Sequence, residues 1–296
     1  MLDAKLRAFA AVARTGSFSH AAQELFISQP AVSKHVAALE AELGGMLVVR
    51  GRRGTTLTPA GEQLADYVLR AEALLASGVR AAEAQRDGQL GALALVASGI
   101  PGTYLLPTLL ARFHAENPGV EIAFQLSTSS GALEIVRAHQ AELGVIGGLV
   151  VPPELESEAL VEDEIVLVGP PSLGGRRLTS AALAEQTWIY REEGSATRAA
   201  VEAARWEAGL HVSRTLELPS WEAVKLTVAS GAGITAISRF ALDLELRSGS
   251  LVVLDVPRWR LRRVISAVRA RDIPLGGPAE SFLALLRSEL VSSTSP

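Results

Sequence analysis

The 296-residue chain has no cysteine. That excludes disulfides, thiolate metal sites and sensing by thiol oxidation. Aromatic residues make up only 5% of it, and the four tryptophans, Trp188, Trp206, Trp221 and Trp259, are too dispersed to stack bases, so they read as packing residues. No apolar run reaches the ~18 residues needed to span a bilayer. The N-terminus is a polar-interrupted helical pattern, not a charged segment followed by an apolar core, so no signal peptide is read and a soluble cytoplasmic protein is expected. Catalytic signatures are missing as well. The five histidines, His20, His35, His114, His139 and His211, are scattered and form no His-Glu-x-x-His. There is no Gly-x-Ser-x-Gly elbow, no P-loop and no complete Gly-x-Gly-x-x-Gly after a strand. The expectation is a protein that is not an enzyme and carries no cofactor or metal.

What is present is globular: 48% apolar and 20% charged residues, in a chain long enough for two or three domains. The net charge of −4 is unevenly spread. Residues 1–58 carry seven basic residues against four acidic ones, a net +3, which leaves −7 for the rest. A basic end on an acidic body suits a polyanion partner at that end.

The basic end holds a two-helix pattern. Leu2, Leu6, Phe9, Ala10 and Ala13 mark an amphipathic first helix. Ser17 and Ser28 are positioned to cap two further short helices, and Pro30 falls in the first turn of the second, where its missing N–H costs little. Val32, Val36, Leu39 and Leu43 then form one apolar stripe, while Gln29, Ser33, Lys34 and His35 lie opposite. Such a helix is built for a major groove. Beyond Gly44-Gly45, Val49-Arg50-Gly51-Arg52-Arg53-Gly54 has the pattern of a hairpin tip, and beside a helix-turn-helix it reads as a wing whose Arg50, Arg52 and Arg53 meet phosphates or a minor groove. Thr58-Pro59 signals a new helix start. From there Leu64, Val68, Ala71, Leu75, Val79 and Ala82 recur at spacings of four or three in a helical pattern that runs to about residue 88, a coiled-coil seam that asks for a second copy.

From Gln89 onward apolar β-rich runs alternate with helical ones. Strands are expected at 92–97, 121–126, 143–147, 165–168, 188–190, 215–218, 234–237, 251–254 and 264–268, and helices at 104–116, 132–139, 198–208, 221–230, 239–247 and 278–290. The pattern is α/β with largely parallel sheets, and nearly 200 residues suggest two subdomains. Four Ser/Thr-rich loops lead from strand ends into helix starts: Ser98-Gly99-Ile100-Pro101-Gly102-Thr103, Ser127-Thr128-Ser129-Ser130-Gly131, Gly194-Ser195-Ala196-Thr197-Arg198 and Pro219-Ser220-Trp221. Helix N-termini with free N–H groups and hydroxyls suit a small anion if they converge in one crevice; a plain helix cap at each loop is the other reading. Candidate effector residues are Ser98, Gly99, Thr103, Thr128, Ser195, Thr197 and Ser220.

The spacing of Ala21-Ala22, Ser28-Gln29-Pro30-Ala31-Val32-Ser33, Leu39-Glu40, Leu43-Gly44, Leu47-Val48-Val49-Arg50 and Leu57-Thr58-Pro59-Ala60-Gly61 resembles the LysR-type transcriptional regulators. The resemblance is strong over residues 2–61 and continues more weakly to about Leu286. Three departures stand out: Leu47-Val48-Val49-Arg50 where Leu-Phe usually precedes the arginine, His35 where Gln is common, and Gly144 where an acidic residue often follows the leucine. Glu192-Glu193-Gly194-Ser195-Ala196-Thr197-Arg198 is similar to a Gly-Ser-x-Thr-Arg segment that lines the effector cleft in one branch, and Ser98 and Thr128 match loops that line it from the other side. Glu222-Ala223-Val224-Lys225 and Gly231-Ala232-Gly233-Ile234 also match a common family stretch and read as structural.

The resemblance implies a winged helix-turn-helix at 1–58, a linker and dimerisation helix at 59–88, an effector-binding domain at 89–291 and a short tail at 292–296. It implies two Rossmann-like subdomains, as in periplasmic binding proteins, at about 89–161 with 267–291 and about 162–266, the chain crossing near 160–163 and 266–268. It also implies a dimer of dimers that bends promoter DNA. The peroxide-sensing branch works through cysteine, which this chain lacks. The expected function is sequence-specific binding of double-stranded promoter DNA, modulated by a small anionic effector, with RNA polymerase as a possible further partner and no membrane. The alternatives are a DNA-binding regulator with no effector, a solute-binding protein, which has no use for residues 1–58, and an enzyme with an appended DNA-binding domain.

Overall fold

The computed structural model describes residues 2–51, 54–86, 91–257, 259–271 and 273–291. The chain divides into two compact units, 1–83 and 84–296.

The first unit holds α1 (Ala4–Thr15), α2 (Phe18–Glu24), α3 (Gln29–Leu43), the antiparallel hairpin β1 (Val48–Gly51) and β2 (Gly54–Leu57), and most of α4 (Pro59–Arg86). Local chemistry sets each helix start. Asp3 accepts from the N–H groups of Lys5 and Leu6, Ser17 from His20 and Ser28 from Ala31. Phe9, Val12, Ala21, Val32, Val36, Leu39, Leu47 and Val48 form the core. The unusual Leu47-Val48 pair is therefore accommodated inside, with Val49 out in solvent. Leu43, expected to complete the stripe of α3, is 55% exposed. Glu40 Oε1 accepts from the N–H groups of Leu47 and Val48 at 2.8 and 3.1 Å, tying α3 to the hairpin.

The second unit continues with β3 (Gly91–Ser98), α5 (Leu106–Glu116), β4 (Val120–Ser127), α6 (Ser129–Arg137), β5 (Leu143–Gly147), β6 (Leu155–Gly169), α7 (Ser180–Ala184), β7 (Thr187–Arg191), α8 (Ala196–Glu207), β8 (Arg214–Leu218), α9 (Trp221–Ala229), β9 (Thr235–Ser238), α10 (Asp243–Ser248), β10 (Val252–Val253), β11 (Leu261–Ala270) and α11 (Gly277–Leu286). β3 pairs in parallel with β4 and β5, and β7 with β8. The sheets are less parallel than expected. β11 runs antiparallel to both β5 and β6, and β6 antiparallel to β9 and β10. β6 is 15 residues long, and its first ten residues, Leu-Glu-Ser-Glu-Ala-Leu-Val-Glu-Asp-Glu, are charged and only in part buried, at Leu155, Leu160, Val161 and Asp163. An apolar-run criterion misses that stretch, as it misses the single turn and a half of α7. β6 and β11 thus form a two-strand ribbon whose register shifts between Ile265 and Ser266, flanked by β5 on one side and β9 on the other. Parallel strands carry helices after their carboxyl ends, so the loops entering α6, α8 and α9 gather where the two subdomains face each other.

Gly144 lies within the sheet, away from the cleft. A Cβ there would come within 2.6 Å of Val268 Cγ2 and 2.9 Å of Val136 Cγ2, so α6 and β11 leave space only for hydrogen.

Candidate functional site

In the first unit the turn and α3 present the expected polar face. Ser28, Gln29, Pro30 and Lys34 are exposed, and Ser33 and His35 are half-buried. Gln29 Nε2 reaches Ser33 Oγ at 3.5 Å, which keeps the amide over the helix face. Pro30 stands at the start of α3, where it removes no helical hydrogen bond. The main chain of Arg50 lies in β1; its side chain, and Arg52 and Arg53 entirely, fall outside the described residues. Gly51 pairs with Gly54 at the end of the hairpin.

The seam on α4 divides in two. Leu64 packs against the unit's own core beside buried Ala65, and Val68 is 5% exposed, so the first turns are used within this chain. Ala71 is half-buried. Leu75 and Val79 are 43% and 51% exposed, with Leu74 and Tyr67 exposed beside them. The expectation that the whole seam faces a partner is thereby corrected: its apolar start is covered by the helix-turn-helix core.

In the second unit all four loops contribute to one cleft. It is lined by Ser98, Gly99 and Ile100, by Ser127, Thr128 and Ser129, by Ser195, Ala196 and Thr197, and by Arg191, Trp221 and Arg263. Five of the seven expected effector residues, Ser98, Gly99, Thr128, Ser195 and Thr197, are therefore brought together. Two are not. Thr103 is exposed in the turn before α5, and Ser220 is spent capping α9, accepting from Ala223 N–H at 3.1 Å. Trp221, read as a packing residue, takes the place of Ser220 in the cleft wall.

Thr128 and Ser195 also act as helix caps, accepting from Gly131 N–H at 3.0 Å and Arg198 N–H at 3.4 Å. Cap and cleft readings thus coexist, because a cap hydroxyl stands at the positive end of the helix it caps. Arg191 is held by both oxygens of Glu192 and lies 5.6 Å from the Trp221 ring centroid. Burial pushes the Glu192 carboxyl up, but Arg191 and backbone hydrogen bonding hold it below the usual carboxylate range. Gly99 faces this pair closely: a Cβ there would sit 3.2 Å from Arg191 Nη1. The cleft is narrow, leaving about 20 Å³ for the centres of water-sized groups. A larger cavity of about 710 Å³ lies between the start of β6, the end of β11 and α11, and contains none of the expected residues. Of its three arginines, Arg269 and Arg287 are paired with Glu156 at 2.5 Å and Glu158 at 2.6 Å, and Arg271 donates to the Pro153 and Leu155 carbonyls. Arg191 and Arg263 had no sequence signal. Each becomes a cleft residue only through its strand's place in the sheet.

A helix-turn-helix followed by such a two-part α/β unit matches two family profiles in succession: "Bacterial regulatory helix-turn-helix protein, lysR family" over residues 4–62 and "LysR substrate binding domain" over residues 86–291. The chain belongs to the LysR family. This LysR-type chain is 34% identical over 292 residues to the RuBisCO operon transcriptional regulator of Allochromatium vinosum, covering 96% of this chain and 95% of that one. The regulatory domain of Synechocystis CcmR, solved with 2-PG, superposes with a TM-score of 0.62 at 25% identity, covering 67% of this chain and 97% of that one. Full-length CbnR bound to its target DNA shares the fold, with a TM-score of 0.66 at 22% identity over 97% of this chain and 99% of that one. The protein is a DNA-binding transcriptional regulator with an effector-binding domain, and the family is one of regulators, not enzymes. Among the described residues no helix is long and apolar enough to cross a membrane.

Proposed function

We propose that the protein is a cytoplasmic regulator that binds promoter DNA as a dimer, or a pair of dimers, and reads a small anionic effector in its C-terminal cleft. Gln29, Ser33, Lys34 and His35 touch base edges or phosphates, Ser28 and Pro30 set the helix at the groove, and Arg50, Arg52 and Arg53 hold the backbone. Leu75, Val79 and the exposed residues beside them pair two copies of α4. The working division is a DNA-binding domain to residue 58, a linker helix to 88, and an effector domain to 291 whose halves exchange chain along β6 and β11. Any contact with RNA polymerase follows from promoter occupancy.

The observation that carries the anion reading is the convergence of hydroxyls from Ser98, Thr128, Ser195 and Thr197 with two guanidinium groups in one cleft. The complex of the Synechocystis CcmR regulatory domain with 2-PG supports a small-molecule ligand in this domain. Effector binding then biases the two halves of the effector domain between arrangements, and through α4 the spacing of the DNA-binding pairs. The test is binding to the intergenic DNA upstream of its own gene at two salt concentrations, with and without a panel of small anions. Specific binding with a steep salt slope and a footprint altered by one anion is expected, and Lys34→Ala lowers operator affinity by about tenfold. Specific binding unmoved by every anion removes the cleft reading, and operator affinity unchanged in Lys34→Ala removes the placement of α3.

A further inference from the structure

We infer that Arg263 anchors the effector's charge and that the effector is a compact oxyanion, not an aromatic or chain-bearing acid; this rests on the cleft reading above. Arg263 on β11 stands directly opposite Asp163 on β6. The side chains of the pair are 6% and 0% exposed. Arg263 Nε donates to one Asp163 oxygen at 2.8 Å, and Ser238 Oγ donates to the other at 2.6 Å. Asp163 is thus engaged through both oxygens and holds the guanidinium in one place. Gly147 and Gly148 make room for it: a Cβ on Gly147 would meet Arg263 Cζ at 2.9 Å, and one on Gly148 would meet Cδ at 3.0 Å. Arg263 Nη2 is buried and has no hydrogen-bond partner, while the residue lines the same cleft as Ser98, Thr128, Ser195 and Thr197. A buried guanidinium N–H without an acceptor is costly, and native proteins seldom leave one without a reason. An oxyanion in the cleft supplies the acceptor.

Charge and lining narrow the class. Arg263 is matched by Asp163 and Arg191 by Glu192. The surplus positive potential comes from the N-termini of α6 and α8, which suits an ion of one or two charges. The lining is mostly hydroxyl and glycine, and Ile100, Ala196 and Trp221 are its apolar members. Six of its twelve residues carry hydroxyls and two carry guanidinium groups, so most of the lining matches oxygen acceptors rather than apolar carbon.

The test is isothermal titration calorimetry of the full chain with sulfate, phosphate, oxalate, benzoate and hexanoate, on wild type, Arg263→Lys and Arg263→Gln, with circular dichroism melts to report folding. Arg263→Lys keeps the charge facing Asp163 while removing the second guanidinium donor, so it stays informative if Arg263→Gln fails to fold. One of the three compact anions is expected to bind wild type, and its affinity falls about tenfold or more in Arg263→Lys. Unchanged affinity in the folded variants overturns the role of Arg263 and leaves the cleft reading standing. Tighter binding of benzoate or hexanoate than of every compact anion overturns the ligand class. Binding of none of the five overturns the cleft reading and this inference with it.

Discussion

Lys225 is a cation whose side chain is only 5% exposed. Its ammonium meets Glu245 Oε1 at 2.8 Å, Glu222 Oε1 at 3.0 Å and the Ala241 carbonyl at 3.2 Å, and lies 4.9 Å from the Tyr104 ring centroid. The Tyr104 hydroxyl donates to Glu222 at 2.7 Å; burial first, and that carboxylate second, push the phenol well above its usual range, so it stays a donor. Tyr104 precedes α5 in one subdomain, whereas Glu222, Lys225 and Glu245 belong to α9 and α10 in the other. The cluster therefore ties the two halves together near the cleft. Lys225→Ala leaves Glu245 buried without its cation and is expected to cost about 3–5 kcal/mol, measured by urea denaturation of the full chain. A loss below about 1 kcal/mol would show that the carboxylates relax into solvent. The four-residue stretch Glu222-Ala223-Val224-Lys225 is readable as structural in sequence, but its partners Tyr104 and Glu245 are not, because each comes from a different element.

At the scale of elements, the start of α4 explains the Thr-Pro-Ala-Gly stretch. Thr58 Oγ1 donates to the Met46 carbonyl at 2.8 Å and accepts from Gly61 N–H at 3.0 Å, and Thr58 N–H donates to the Leu47 carbonyl at 2.9 Å. One residue thus caps the helix and closes the hairpin onto it. Gly61 is the point of closest approach: a Cβ there would fall 2.0 Å from the Leu47 carbonyl oxygen, a backbone atom that has no side-chain freedom to yield. Gly61→Ala is expected to destabilise the DNA-binding unit by about 1–3 kcal/mol, seen in thermal unfolding. A neutral result would mean that α4 shifts as a whole. Gly233 plays the same part in the effector domain, where a Cβ would lie 2.1 Å from the Thr187 carbonyl oxygen as β9 meets β7. Sequence pattern locates these glycines, but only the packing of two elements shows that proximity, not turn geometry, requires them.

At the scale of the whole molecule, α4 spans 28 residues, about 42 Å at ~1.5 Å per residue. Its apolar start is buried in its own unit, while Leu74, Leu75 and Val79 remain exposed. A second copy of α4 would cover them. If, as proposed, these residues pair two copies of α4, Leu75→Asp with Val79→Asp shifts the protein from dimer to monomer in sedimentation velocity and weakens operator binding by at least about tenfold, because two half-sites are no longer held together. Leu64→Ala, by contrast, lowers the stability of the DNA-binding unit. A variant that stays dimeric with both aspartates would place the interface elsewhere.

Local chemistry determined a good deal of this protein. The caps at Ser17, Ser28, Thr58, Thr128 and Ser195, the stripe through Val32, Val36 and Leu39, and the hairpin that pairs Gly51 with Gly54 are all decided by residues within a turn or two of each other, and they place the polar face of α3 and five of the cleft residues. Tertiary structure alone decided the rest. It covered Leu64 and Val68 while leaving Leu43 exposed, joined a charged segment into β6, and turned the expected parallel pairing antiparallel along β6 and β11. It also set Arg263 beside Asp163, 100 residues away in the chain. The reason is physical: a cap or an amphipathic stripe is a short-range energy that composition reveals, whereas the burial of a guanidinium depends on which strands become neighbours, a fact carried by no single stretch of residues.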